Sequence, residues 1–73
     1  MIKIDLTKIL KERNITSKEL AELINITEAN LSILRSGKAK AIRFSTLNAI
    51  CKVLNCEPGD FIKYEEGDYE EEE

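Results

Sequence analysis

Apolar residues recur along this chain in short blocks at helical spacing, and most blocks open with a capping residue and close on a breaker. Ile2 and Ile4 alternate with Lys3 and Asp5, which predicts a short extended start. Leu6, Ile9 and Leu10 then follow helical spacing behind Asp5 as an N-cap, so a first helix is expected from Leu6 to Arg13. Thr16 and Glu19 form an S/T-x-x-E capping box, and Ile15 and Leu20 flank it as a hydrophobic staple. A second helix over 17–24 follows, with Leu20, Leu23 and Ile24 inward and the small Ala21 where another helix could cross. Asn25 breaks the run and tolerates a left-handed turn. Ile26 and Thr27 repeat the staple and cap, with Leu31 as stapled partner, and open a third helix over 28–36. Gly37 closes that helix. After the loop from Lys38 to Phe44, Ser45 is expected to cap a fourth helix carrying Leu47, Ile50, Val53 and Leu54, which Asn55 ends. Pro58 suits the first turn of a short fifth helix bearing Phe61 and Ile62. The alternation of Ile62 and Tyr64 leaves room for a small two-strand pairing with Ile2–Ile4.

A length of 73 residues allows one domain, whose core is thin unless something reinforces it. Histidine is absent and the cysteines are Cys51 and Cys56, too few ligands for a zinc site and too few thiols for a disulfide framework. No metal or cofactor is expected, and the two cysteines read as small apolar residues. Nothing in the sequence indicates a small-molecule ligand. No apolar run is long enough to span a bilayer and no charged-then-apolar leader is visible, so the expectation is a cytoplasmic protein without a membrane partner. Ser17, Ser32 and Ser36 lack a histidine base, so no nucleophile can be assembled and no enzyme is expected. The remaining reinforcement for a thin core is self-association, as a homodimer.

The net charge of −3 hides a segregation. Seven acids and no base occupy residues 65–73, leaving seven acids against eleven bases in 1–64, a net of +4. Between Ala29 and Cys56 there is no acid at all, while Arg35, Lys38, Lys40, Arg43 and Lys52 lie there. Residues 1–64 therefore read as a domain with a basic working surface, and 65–73 as an acidic tail expected to be disordered. That tail either competes with phosphate for the basic loop or only aids solubility.

Two short capped helices joined through Asn25–Thr27 fit a helix-turn-helix unit. In such a unit the first helix braces and the second enters the major groove of DNA. Glu28, Ala29, Ser32, Ile33 and Ser36 share the face opposite Leu31 and Leu34, with Asn30 at its margin. The basic loop follows at once, where phosphates would flank the groove.

Thr16-Ser17-Lys18-Glu19-Leu20-Ala21-Glu22, then Ile26-Thr27, Leu31-Ser32, Leu34 and Gly37-Lys38 resemble the Xre or Cro/CI-type helix-turn-helix of lambdoid phage repressors. The stretch Asn30–Thr46, followed by Leu47, Ala49, Ile50, Cys51, Leu54, Cys56, Pro58, Gly59 and Asp60, is similar to short single-domain bacterial regulators of that superfamily. The resemblance covers Leu6 to Tyr64. It implies an all-α, five-helix, lambda-repressor-like domain that binds double-stranded DNA sequence-specifically as a transcriptional regulator. It further implies that Glu28, Ala29, Asn30, Ser32 and Ile33 face the major groove. Ser17, Ser36, Lys38, Lys40 and Arg43 would then contact phosphates or reach the minor groove. Arg35 joins that second set by adding positive charge where the family commonly carries Glu. Ser17 and Glu28 each stand where the family commonly carries Gln.

In the pairing code of base edges, Glu28 can accept from cytosine N4 and Asn30 can pair with adenine, while Ala29 or Ile33 can touch a thymine methyl. Each of these has a plainer reading. Glu28 also suits the first turn of any helix as a partner of its dipole. Ile33 also fits a core position, the basic loop also fits a solvated turn, and Phe61, Ile62 and Tyr64 fit either the core or a dimer contact. A rival function is a protein-interaction module, antitoxin-like or an anti-regulator, built on the same fold.

Overall fold

A computed structural model gives residues 1–37, 39 and 41–67; Lys38, Lys40 and residues 68–73 lie outside the described residues. The chain runs β1 (Ile2–Ile4), α1 (Thr7–Arg13), α2 (Ser17–Leu23), α3 (Glu28–Arg35), α4 (Phe44–Leu54), one 3-10 turn (Pro58–Asp60) and β2 (Ile62–Tyr64). Among the described residues there are four α-helices, not the five expected. Pro58 does start a turn, but it lasts three residues. A single isolated turn gains too few hydrogen bonds to offset its nucleation. The next residues find better partners: Phe61 is fully buried and Ile62 enters β2.

The two strands pair antiparallel with Ile2 opposite Tyr64, Lys3 opposite Lys63 and Ile4 opposite Ile62. The strand pairing read from the alternating ends is therefore present. Like charges directly opposite on a sheet repel, and here each lysine is drawn elsewhere. Lys3 Nζ lies 3.1 Å from the Glu65 carboxylate, and Lys63 Nζ donates to the Gly59 carbonyl at 2.8 Å. Asp5 N–H donates to Phe61 O at 2.7 Å and Glu65 N–H to Met1 O at 2.8 Å, so the backbone pairing extends past both strand ends. The acidic stretch from Asp68 onward lies outside the described residues.

Every α-helix contributes to one core of Leu6, Ile9, Leu10, Leu20, Ala21, Leu31, Leu34, Ile50, Leu54 and Phe61. Each fully buried large side chain there stabilises the fold by roughly 1.5–3 kcal/mol. Ile15 and Ile26, the residues before the caps of α2 and α3, pack against that core as the staples require. The caps are formed as well. Thr16 Oγ1 accepts from Glu19 N–H at 3.1 Å while Glu19 Oε1 accepts from Thr16 N–H at 2.9 Å. Thr27 Oγ1 accepts from Asn30 N–H at 3.0 Å.

Three local expectations are corrected. Leu23 is 61% exposed rather than inward. Leu20, Ala21 and Ile24 define the inward face of α2, and at about 100° per residue Leu23 falls on its flank. α1 begins at Thr7, although Asp5 still serves its start by accepting from Thr7 N–H at 3.1 Å. α4 begins at Phe44 with Arg43 in the N-cap position and no side-chain cap bond, so Ser45 is an exposed residue of the first turn and not the cap.

Candidate nucleic-acid interface

α2 and α3 form the helix-turn-helix, and their junction is fixed by backbone geometry. Asn25 takes a left-handed φ of 64°, and Ile26 N–H donates back to Ala21 O at 3.0 Å. That bond closes α2 and turns the chain toward the Thr27 cap. α3 then buries Leu31 and Leu34 and leaves Glu28, Ala29, Asn30, Ser32 and Ile33 exposed. Ile33, for which a core position was open, is 48% exposed. The end of α3 is set by Ser36 as C-cap and by Gly37 at φ 81°, a conformation that favours glycine. Ser36 Oγ donates to Ile33 O at 2.9 Å.

The residues assigned to phosphate fall into two groups. Arg43 is exposed at the N-terminal end of α4, beside Phe44, which is 88% exposed. Arg43 helps to line a hollow of about 400 Å³ between α3 and the following loop, together with Asn30, Ile33 and Ile42. Lys38 and Lys40, assigned to the same set, lie outside the described residues. Ser17 and Arg35 lie at a second hollow of about 370 Å³, with Thr7, Glu28, Ser32 and Ser36. There the Arg35 guanidinium donates to the Ser17 hydroxyl and, at 3.0 Å, to the Thr7 hydroxyl.

Sequence reasoning missed three of these features. Thr7 receives Arg35 from 28 positions away, and no local pattern signals such a pair. Arg13 donates through Nε to Leu54 O at 2.6 Å and through a terminal nitrogen to Asn55 O at 3.3 Å, placing a cation on the carbonyl end of α4. Phe44 is exposed in the first turn of α4, which starts two residues earlier than a Ser45 cap would place it.

Residues 5–67 match the family model for the Cro/C1-type helix-turn-helix DNA-binding domain. The chain belongs to that family. It is a DNA-binding regulator of the Cro/C1 type and not an enzyme. Among its relatives is YozG of Bacillus subtilis, an uncharacterised HTH-type transcriptional regulator, 56% identical over 61 residues that cover 84% of this chain and 73% of YozG. Solved structures share the fold. A candidate DNA-binding protein from Bacteroides fragilis superimposes with a TM-score of 0.74 at 25% identity, over 86% of this chain and all of its own. The transcriptional regulator VanUg superimposes with a TM-score of 0.68 at 31% identity, over 85% of this chain and 84% of its own. No helix among the described residues of this Cro/C1-type chain is long and apolar enough to cross a membrane.

Proposed function

We propose that this regulator binds double-stranded DNA sequence-specifically, with α3 in the major groove, as a homodimer on a pseudo-palindromic site. The observation that carries the reading is the two-sided character of α3. Leu31 and Leu34 anchor it in the core, while Glu28, Ala29, Asn30, Ser32 and Ile33 stand exposed on the element that a helix-turn-helix presents to base edges. Arg43, with Lys38 and Lys40 of the same loop, supplies phosphate contacts that give affinity without sequence information. Self-association supplements a small core and matches the two-fold symmetry of paired half-sites. The interaction-module alternative is not favoured by the family to which the chain belongs.

Selection from a random duplex pool tests the reading. A converged motif with two inverted half-sites is expected, and failure of any motif to emerge overturns it. A converged but unrepeated motif would remove the dimer alone. Two variants divide positioning from reading in the same experiment. Arg43→Ala should weaken specific and random duplexes alike and lower the salt slope by about one unit. Glu28→Gln should instead change the preferred base, since Gln favours adenine where Glu favours cytosine.

A further inference from the structure

Arg35 sits where three helix ends converge. It is the last residue of α3, Ser17 is the first of α2 and Thr7 is the first of α1. Its guanidinium donates from one terminal nitrogen to the Ser17 hydroxyl and from the other to the Thr7 hydroxyl, at 3.0 Å. A planar guanidinium holds two acceptors in a fixed relation, which a lysine ammonium cannot do. The side chain is half-buried, and its surroundings already hold negative charge. The hollow around it is lined also by Asp5 and Glu28, whose negative charges disfavour a phosphate seated there.

Resting on the DNA-binding reading above, we infer that Arg35 is a positioning residue: it braces the recognition helix against α1 and α2 and does not itself grip a phosphate. This revises its assignment to the phosphate-contacting set and gives Thr7 a role that local sequence did not indicate. The brace acts on the angle of α3. Base-edge hydrogen bonds depend on that angle, whereas electrostatic attraction to the DNA backbone does not. The two hydroxyls spend lone pairs on Arg35, and each keeps one O–H to donate outward. Loss of the brace should therefore reduce discrimination between sites more than it reduces overall attraction.

The test measures Arg35→Met, Arg35→Lys, Thr7→Val and the double variant Arg35→Met/Thr7→Val on a selected duplex and on random duplex, across a salt series. Arg35→Met should lose at least about tenfold in specific affinity, with a much smaller loss on random duplex and an unchanged salt slope. Arg35→Lys should fail to restore the loss, because charge alone does not span two acceptors. Thr7→Val should show part of the same loss and add little in the double variant. Rescue by lysine, or equal weakening on both duplexes with a slope smaller by about one unit, would show direct phosphate contact and overturn the proposal. Melting of the same four proteins without DNA separates the brace from the DNA reading. Non-additive losses of melting temperature for Arg35 and Thr7 establish the brace even if no duplex is bound. Additive losses reject it even if binding is tight.

Discussion

Cys56 is kept protonated by its surroundings. Burial pushes its thiol above the ordinary value of 9.0, the neighbouring Cys51 and Asp60 push it further, and Arg13 opposes them. A thiol attacks and is oxidised as the thiolate, so a raised, half-buried thiol is a poor nucleophile. The two cysteines act as small apolar residues at the end of α4, packed against the core. The sign of the pH effect follows. The folded state disfavours the charged form, so this contribution to stability is complete below the unfolded value and is lost as pH rises past about 9 toward the folded one. Folded protein at pH 8 should therefore be alkylated at Cys56 more slowly than urea-unfolded protein, and Cys56→Ala should soften the alkaline fall in the urea midpoint. Equal alkylation rates in the two states would show that the thiol is freely accessible. Much at this scale was legible in the sequence. The two threonine caps lie three positions from the groups they serve, within reach of a local pattern. Arg35–Thr7 and Arg13–Leu54 span 28 and 41 positions, so only the folded chain shows them.

Three of the four α-helices end by the same device. Asn14, Asn25 and Asn55 take left-handed φ values of 59°, 64° and 53°. In each case the next residue, Ile15, Ile26 or Cys56, donates its N–H at 3.0 Å to a carbonyl five positions earlier, on Leu10, Ala21 or Cys51. The apolar residue then turns back onto the core while the asparagine faces water. Asn25 and Asn55 were legible as breakers; Asn14 was not, because Ile15 also completes the staple of α2. Replacing any of the three by alanine should cost about 1–2 kcal/mol, the penalty of a Cβ in the left-handed region. Replacement by glycine should cost far less. Thermal melting of the six variants checks this, and an Asn25→Ala protein that melts like its parent would reject it. Expectations failed where a second element decided the outcome. Ser45 offered a cap hydroxyl, yet the backbone placed Arg43 in the cap position. Pro58 opened a turn of three residues, and Ile62–Tyr64 beyond it pair with β1 instead of extending a helix.

At the scale of the whole molecule, the helix-turn-helix was legible because its caps, staples and turn are local. The position of the sheet was legible only as alternation at both ends of the chain. That sheet joins Ile2 to Tyr64, so it can form only by closing nearly all of the described chain into a loop. Closure over that length carries an entropic cost that the short α2–α3 turn does not. This topology predicts an order of assembly, with the α2–α3 unit in the early nucleus and the strand pair zipping afterwards. Ile4 packs against the core opposite Ile62 within that late pair. Ile4→Ala should accordingly speed unfolding and leave the folding rate nearly unchanged, whereas Leu31→Ala should slow folding. Stopped-flow chevrons of the two variants read this directly, and a folding arm slowed by Ile4→Ala in proportion to its loss of stability would place the sheet in the nucleus. A late strand pair also makes β1 and β2 the first part of the described fold to open, ahead of α2 and α3.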